Sequence, residues 1–345
     1  MYVHIPFCQR RCDYCAFATW TDRHHLMADY AATCRAEVLA AALPPASSVF
    51  FGGGTPSLMP PELLVSILAV IPRQPGSEVT IECNPENVAP AVLDSYRAAG
   101  ANRLSFGVQS MVPHVLRGLG RSHDPEAVAR AVDLAGRAGF ETFNVDLIYG
   151  GAGESDRDWA RTLDEVLAFD PPHVSAYALT VEPGTPLAAD PTRHPDDDQQ
   201  ADRYFVADRR LAQAGLAWYE ISNWAKVGHE CRHNQLYWRQ EEYRGIGCAA
   251  HSFIDGRRFW NVRTPERYIR MIAEGGTAVA GEERLGLDEL RLEALQLALR
   301  TRDGVPTAAL PGEPELKELV SRHAGRARLT PRGRMLANAV ALRLR

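Results

Sequence analysis

The chain has 345 residues, 46% hydrophobic and 23% charged, with a formal net charge of −5. A chain of this length can bury a large core and fits about two domains, and its acidic balance removes the electrostatic reason to expect nucleic acid as a partner. No apolar run approaches the ~20 residues a membrane-spanning helix needs, and the opening Met1-Tyr2-Val3-His4-Ile5-Pro6 has neither the basic start nor the apolar stretch of a signal peptide.

An apolar run at residues 2–5 begins the chain, and others follow at 48–51, 79–82, 103–107, 143–148, 174–179 and 217–222. Helical patterns lie between them at 29–42, 61–71, 90–99, 125–138, 156–168 and 199–214. Gly100, Gly139 and Gly215 each follow such a stretch, where a helix end favours a residue tolerant of positive φ. This alternation predicts parallel β/α units, in a doubly wound sheet or a barrel. Residues 226–281 are richer in polar and aromatic side chains and do not continue it. They are read as a region linking a first domain at 1–225 to a last one at 282–345. In that last part Leu292, Leu295 and Leu299 mark one face of a helix ending before Gly304. Thr330-Pro331 opens a final helix, with Thr as N-cap and Pro as first residue. Residues 313–345 carry eight Lys/Arg against three Glu, which reads as a solvated basic helix face. A small, mainly helical C-terminal domain is expected.

A cytoplasmic location is the expectation, and there the seven cysteines serve as thiols or metal ligands rather than disulfides. Cys8, Cys12 and Cys15 fall in one short loop after the first strand, with the spacing C-x3-C-x2-C. Three thiolates can converge on one metal centre. Structural zinc wants four ligands, and no His or second C-x2-C pair supplies the fourth. A ferredoxin-type cluster would also want a fourth Cys. Three ligands leave one iron of a [4Fe–4S] cluster open, although three unligated thiols fit the same count.

Polar residues recur where the other parallel strands end, the place where β/α folds collect functional groups. Gly52-Gly53-Gly54-Thr55-Pro56 follows the second run, and its glycines allow close backbone approach to a ligand. Glu82 ends the third run, in a position to meet a ribose, and Gln109 follows the fourth. Asp146 lies inside the apolar fifth, where a carboxylate needs hydrogen bonds or a charged partner. Arg121, in Leu119-Gly120-Arg121-Ser122-His123, is a candidate for that partner or for holding a ligand carboxylate. Singly, each reads equally well as structural; their shared location makes them a candidate site.

The cysteine spacing resembles the signature of radical S-adenosylmethionine (SAM) enzymes. In that superfamily the open iron binds the amino and carboxylate groups of SAM, and one-electron reduction yields a 5′-deoxyadenosyl radical. Tyr2-Val3-His4-Ile5-Pro6-Phe7-Cys8, the glycine loop, Leu119 to His123, Glu182-Pro183-Gly184-Thr185-Pro186-Leu187 and Tyr219-Glu220-Ile221-Ser222-Asn223 narrow the likeness. Together they resemble the oxygen-independent coproporphyrinogen oxidase family over nearly the whole chain. The resemblance implies an α/β fold, an incomplete parallel (β/α) barrel, with a [4Fe–4S] cluster on Cys8, Cys12 and Cys15. It also implies SAM bound by Tyr2, Gly53, Gly54, Thr55, Glu82, Gln109, Arg121 and Asp146.

That family has two branches. The oxidases carry a further Cys two residues after the third cluster ligand, and a longer N-terminal extension. This chain has Phe17 at that position and starts close to the first strand, as the HemW-type heme chaperones do. His233-Asn234-Gln235-Leu236-Tyr237-Trp238 resembles the H-N-x-x-Y-W motif of that branch. It implies heme binding through His233, Asn234, Tyr237 and Trp238, an acceptor protein for the heme, membrane-bound acceptors included, and a homodimer. An imidazole can ligate heme iron and Tyr237 and Trp238 offer flat apolar surface, but the same four residues can equally pack a domain junction. Whether the chain is an enzyme stays open, with coproporphyrinogen decarboxylation as the alternative. Gly150 to Glu154 departs from the family in lacking a proline.

Overall fold

The apolar runs become strands, and the computed structural model, which describes residues 1–345, joins nine strands in one sheet. β1 (Tyr2–Ile5), β2 (Ala46–Gly53), β3 (Arg73–Cys83), β4 (Arg103–Gln109), β5 (Thr142–Tyr149) and β6 (His173–Ala178) lie side by side in chain order, all parallel. Helices cross between them: α1 (Met27–Ala40), α2 (Pro61–Val70), α3 (Pro90–Ala98), α4 (Pro113–Gly118), α5 (Pro125–Arg137) and α6 (Asp156–Leu167), with α7 (Asp197–Gln213) after β6. Proline begins α2 to α5, where its missing N–H is not needed. Asp124 caps α5, and Ser155 with Asp158 forms a reciprocal cap on α6.

Two edges depart from simple alternation. β7 (Ala217–Glu220) turns back into β8 (Asn223–Ala225), which pairs antiparallel with β6. After α8 (Arg232–Trp238), the two-residue β9 (Gly245–Ile246) joins the far edge, parallel to β1. The order β7-β8-β6-β5-β4-β3-β2-β1-β9 does not close on itself, so the barrel is incomplete. Two residues carry no periodicity, so β9 has no signature in the sequence.

Alternation along the strands decides what the barrel contains. In β4, Leu104, Phe106 and Val108 are buried in the main apolar cluster with Val145, Leu147, Val174 and Ala176. Their neighbours Arg103, Ser105, Asn144, Asp146, His173 and Ser175 line a cavity instead. The interior is therefore a polar chamber, unlike the packed apolar core of a barrel closed by side chains.

β10 (His251–Ile254), β11 (Arg257–Asn261) and β12 (Val279–Arg284) form a small antiparallel sheet, with α9 (Pro265–Ala273) before its last strand. Then come α10 (Leu287–Leu299), β13 (Val305–Pro306), β14 (Val320–His323), β15 (Arg326–Leu329), α11 (Pro331–Met335) and α12 (Ala337–Ala341). Leu299, Val305, Leu316, Leu329 and Val340 share a separate apolar cluster. Beside its helices this part carries the sheet β13-β15-β14. Of the basic residues expected on a helix face, Arg332 and Arg334 lie on α11, whereas Arg322, Arg326 and Arg328 lie on β14 and β15, a hairpin turning at Ala324-Gly325, both at positive φ. Thr330 caps α11 as expected, accepting from the Gly333 N–H. No helix is long and apolar enough to cross a membrane.

Candidate functional site in the barrel

The loop leaving β1 is pinned at both ends. Phe7 bridges to Trp20, with the Cys8 N–H donating to Trp20 O (3.0 Å) and the Trp20 N–H to Pro6 O (2.8 Å). The buried His4 ring contacts Ala18 O through Nε2 (2.9 Å), which assigns the proton there and leaves Nδ1 to accept from the Tyr2 hydroxyl (3.1 Å). Burial holds His4 down at about 4, against the pull of the Ala18 bond. Mid-loop, the Asp13 N–H donates to Leu119 O (3.2 Å) and its carboxylate pairs with Arg193 (2.7 Å). On this frame sit Cys8, buried, and Cys12 and Cys15, half-buried, all free thiols. The Thr55 hydroxyl points at Cys8 Sγ (3.6 Å) and Arg121 Nη1 at Cys12 Sγ (3.7 Å).

These donors suit anionic sulfur, so three free thiols on a fixed loop fit a three-ligand iron–sulfur cluster.

The glycines beside this loop have a packing reason as well. A Cβ on Gly54 would lie 2.8 Å from both Ile5 O and Phe7 O, and one on Gly53, at φ 110°, would strike the His4 ring. They let β2 pass against the root of the cysteine loop. The Gly53 N–H donates to Glu82 (3.1 Å). Burial and then the charge of Asp146 raise the Glu82 carboxyl to about 8. Gln109 ends β4 at φ 64° beside a register shift, a strained backbone of the sort that gathers at functional sites.

Arg121 does not pair with Asp146. Its Nη2 donates to Gly107 O (2.6 Å) and Asn84 Oδ1 (3.0 Å). Asp146 is held by neutral donors, the Ser105 hydroxyl (2.9 Å) and the Asn144 amide (2.8 Å). Asn84, which the sequence reading passed over, links the Arg121 fork to the Thr55 hydroxyl (3.5 Å). Its signal was its place directly after β3, beyond Glu82. Ser105, Asn144, His173 and Ser175 were also missed. Their signal was polar residues at every second position of β4, β5 and β6.

A cavity of about 260 Å³ runs through the barrel, from Phe17 beside the cysteine loop to His233, Asn234 and Tyr237 of α8. Tyr2, Gly53, Glu82 and Asp146 line it. Phe17 is 66% exposed. Helix α8 begins on Glu78, whose carboxylate accepts from the N–H groups of Arg232 (3.1 Å) and His233 (3.0 Å). His233 is 1% exposed and stacks on Phe50, ring centroids 5.1 Å apart. Its Nδ1 meets the Ser48 hydroxyl (2.8 Å) and its Nε2 the Tyr237 hydroxyl (2.8 Å), so neither nitrogen is left for a metal. Burial holds its pKa well below the usual histidine range. Helical geometry separates the four α8 candidates. His233, Asn234 and Tyr237 share one face, while Trp238 lines a second cleft of about 590 Å³ with Leu295, Arg239, Arg291, Arg302 and Arg326. Arg300 lies over the Trp238 ring at 5.1 Å.

The departing loop at Gly150 is closed without proline. Glu154 accepts from the N–H groups of Gly150 (2.6 Å) and Gly151 (3.3 Å) and pairs, buried, with Arg203 (3.2 Å).

Residues 2–166 match the model of the radical SAM superfamily. The heme chaperone HemW of Mycobacterium tuberculosis is 43% identical, over 99% of this chain and 93% of its own. The heme chaperone HemW of Synechocystis sp. is 37% identical, over 90% and 80%. Among solved structures, coproporphyrinogen III oxidase (HemN) from Escherichia coli, a radical SAM enzyme, covers 99% of this chain and 88% of that one at TM-score 0.87 and 23% identity, a likeness of fold.

Proposed function

Because the chain belongs to the HemW family of heme chaperones within the radical SAM superfamily, we propose that it binds heme and hands it to an acceptor protein, with an iron–sulfur cluster and SAM held in the same barrel. The observation that carries this reading is identity to HemW proteins over essentially the full length, which reaches α8 and the C-terminal part as well as the barrel.

Cys8, Cys12 and Cys15 would hold the cluster, and Tyr2, Gly53, Gly54, Thr55, Glu82, Gln109, Arg121 and Asp146 would hold SAM. When bound, the cluster supplies an electron and an open iron position for the amino and carboxylate groups of SAM. The chain's own part is positioning. Arg121 and Thr55 orient the cysteine loop, Gly53 and His4 fix Glu82 and Tyr2, and Ser105 and Asn144 keep Asp146 in place. Heme belongs at α8, where Asn234 and Tyr237 face the barrel and Trp238 the neighbouring cleft. His233 enters as a positioning residue that fixes Tyr237, since both its nitrogens are already bonded. The reading extends to domain limits at 225 and 281, a cytoplasmic location, a homodimer, and acceptors that include membrane-bound heme proteins. The exposed Phe17 is an apolar contact available to ligand or acceptor.

The alternative is coproporphyrinogen decarboxylation, which the shared fold alone favours. An anaerobic test separates them. After cluster reconstitution, heme titration is expected to give a stoichiometric Soret band, and coproporphyrinogen III is expected to come back unchanged. Turnover to protoporphyrinogen without heme binding overturns the proposal.

A further inference from the structure

The segment Glu182-Pro183-Gly184-Thr185-Pro186-Leu187 lies in the connection from β6 to α7, and none of the roles given above uses it. It folds on itself. The Thr185 hydroxyl donates to Glu182 O (2.6 Å) and accepts from the Ala188 N–H (3.2 Å). Leu187, 2% exposed, is seated in an apolar cluster with Val115, Leu119 and Leu179, and Tyr14 of the cysteine loop packs against that cluster. Further on, Asp190 accepts from the Thr192 N–H (3.2 Å) and from its hydroxyl (2.6 Å), which shapes the single turn Pro191–Arg193.

Both parts of this connection close on Asp13, which stands between Cys12 and Cys15. The Leu187 N–H donates to Asp13 O (3.0 Å), and Arg193 Nη2 donates to the Asp13 carboxylate (2.7 Å). The same nitrogen donates to Gly118 O (2.6 Å) at the end of α4, where helix carbonyls lack partners of their own. Asp13 in turn donates its N–H to Leu119 O (3.2 Å). Gly120 leaves it room, since a Cβ there would lie 2.7 Å from Asp13 Oδ1. One residue beyond, Arg121 points Nη1 at Cys12 Sγ (3.7 Å).

These contacts form a closed circuit. The chain joins Cys12 to Asp13, Arg193 joins Asp13 to Gly118, the chain runs on to Arg121, and Arg121 returns to the Cys12 sulfur. Arg193 is the member that comes from outside the cysteine loop and the end of α4. A half-buried ion pair of this kind adds little to global stability. Its consequence is local, because it fixes Asp13 and the direction of a donor to a ligand sulfur. The other nitrogen of the Arg121 fork stays on Gly107 and Asn84, so losing Arg193 loosens the contact to Cys12 without releasing Arg121.

We propose that Arg193 is a positioning residue for the iron–sulfur cluster, which with the strap of residues 182–193 locks Asp13 so that Cys12, Cys15 and the Arg121 fork keep their arrangement. This rests on the reading above that Cys8, Cys12 and Cys15 hold the cluster; the hold on the loop stands on the bonds themselves.

The test uses Arg193→Met and Arg193→Lys in the full chain. Without the cluster, the Met variant is expected to melt within about 2 °C of the wild type, while amide exchange speeds up in residues 9–19 and 182–194 alone. After anaerobic reconstitution, a chelator is expected to strip iron from the Met variant on the order of 10-fold faster. The midpoint potential of the cluster is expected to shift to a more negative value, because a donor to one of its sulfurs is less firmly held. The Lys variant is expected to recover most of both effects, since both bonds leave one nitrogen and an ammonium can make both. Wild-type exchange, iron loss and potential in the Met variant overturn the proposal. So does a lower melting temperature with exchange raised throughout the barrel, which makes Arg193 a general fold contact. Failure of the wild type to take up a cluster overturns the cluster reading instead, and the exchange measurement still decides whether Arg193 holds the loop.

Discussion

The cysteine loop and helix α8 are both held by dense hydrogen bonding, yet they end differently. Around the loop, the bonds fix mainly backbone and supporting residues: the three cysteines form no disulfide and two of them accept one long bond at sulfur, from Thr55 and Arg121, while Glu82 has one backbone donor. At α8 the reactive group is itself consumed. His233 is bonded at its backbone N–H and at both ring nitrogens. The first arrangement leaves side-chain bonding capacity open; the second is a junction that a ligand could use only by displacing a bond or by taking the other face, at Trp238. Motif matching does not separate the two, because it reads residue types and not their remaining bonding capacity.

The sharpest way to break this contrast is at the cysteines. Cys8→Ala, Cys12→Ala or Cys15→Ala is expected to abolish the brown absorbance of the reconstituted cluster. Folding stability should move by less than about 1 kcal/mol for the half-buried Cys12 and Cys15. Retention of a full cluster by any of the three variants would remove the loop from the site.

His233→Ala probes the other side. It leaves the buried Ser48 hydroxyl and the Tyr237 hydroxyl without a partner and opens a void under Phe50, so about 3 kcal/mol of stability should be lost in denaturant unfolding. A loss below about 1 kcal/mol would mean that the ring is not structural, and would restore it as a free ligand.

Much of the barrel was legible because its signals are local. The spans of β1 and α5 follow from an apolar run and from a helical pattern that Gly139 ends, and the cysteine loop follows from spacing. What escaped depends on contacts between distant segments. Arg121 bonds Gly107 and Asn84 rather than Asp146, and nothing in the order of residues indicates which way its fork turns. Gly53 and Gly54 are required by the backbone and ring of a strand some 50 residues earlier. The satisfaction of His233 rests on Ser48, 185 residues away. Position on a strand end was readable; partner choice was not.

Glu82 offers a test by pH. Its folded pKa, about 8, lies above the ordinary 4.5 because burial and Asp146 disfavour the charged form. The protonated carboxyl therefore stabilises the fold fully below about 4.5, and that contribution fades as pH rises through 8. The cluster-free wild type should lose roughly 2 kcal/mol relative to Glu82→Gln between pH 5 and 8.5, a value kept below the full shift because Glu82 faces the cavity. Parallel curves for the two proteins would show that Glu82 is already matched by a donor, and the loop side would then resemble α8.

The smallest expected effect bears most directly on the role of His233. Tyr237→Phe keeps the ring against Tyr243, centroids 4.7 Å apart, and removes only the hydroxyl that occupies His233 Nε2. About 1 kcal/mol of stability should go with it. A positioning His233 predicts a Soret maximum unchanged in wavelength and somewhat weaker heme binding, because the tyrosine it fixes has lost its anchor. An axial His233 predicts the reverse, since the substitution releases the nitrogen that iron would need, and heme would bind more tightly with a shifted band. The direction of a single affinity change thus decides whether the bonds around α8 hold the motif together for heme or keep its histidine from it.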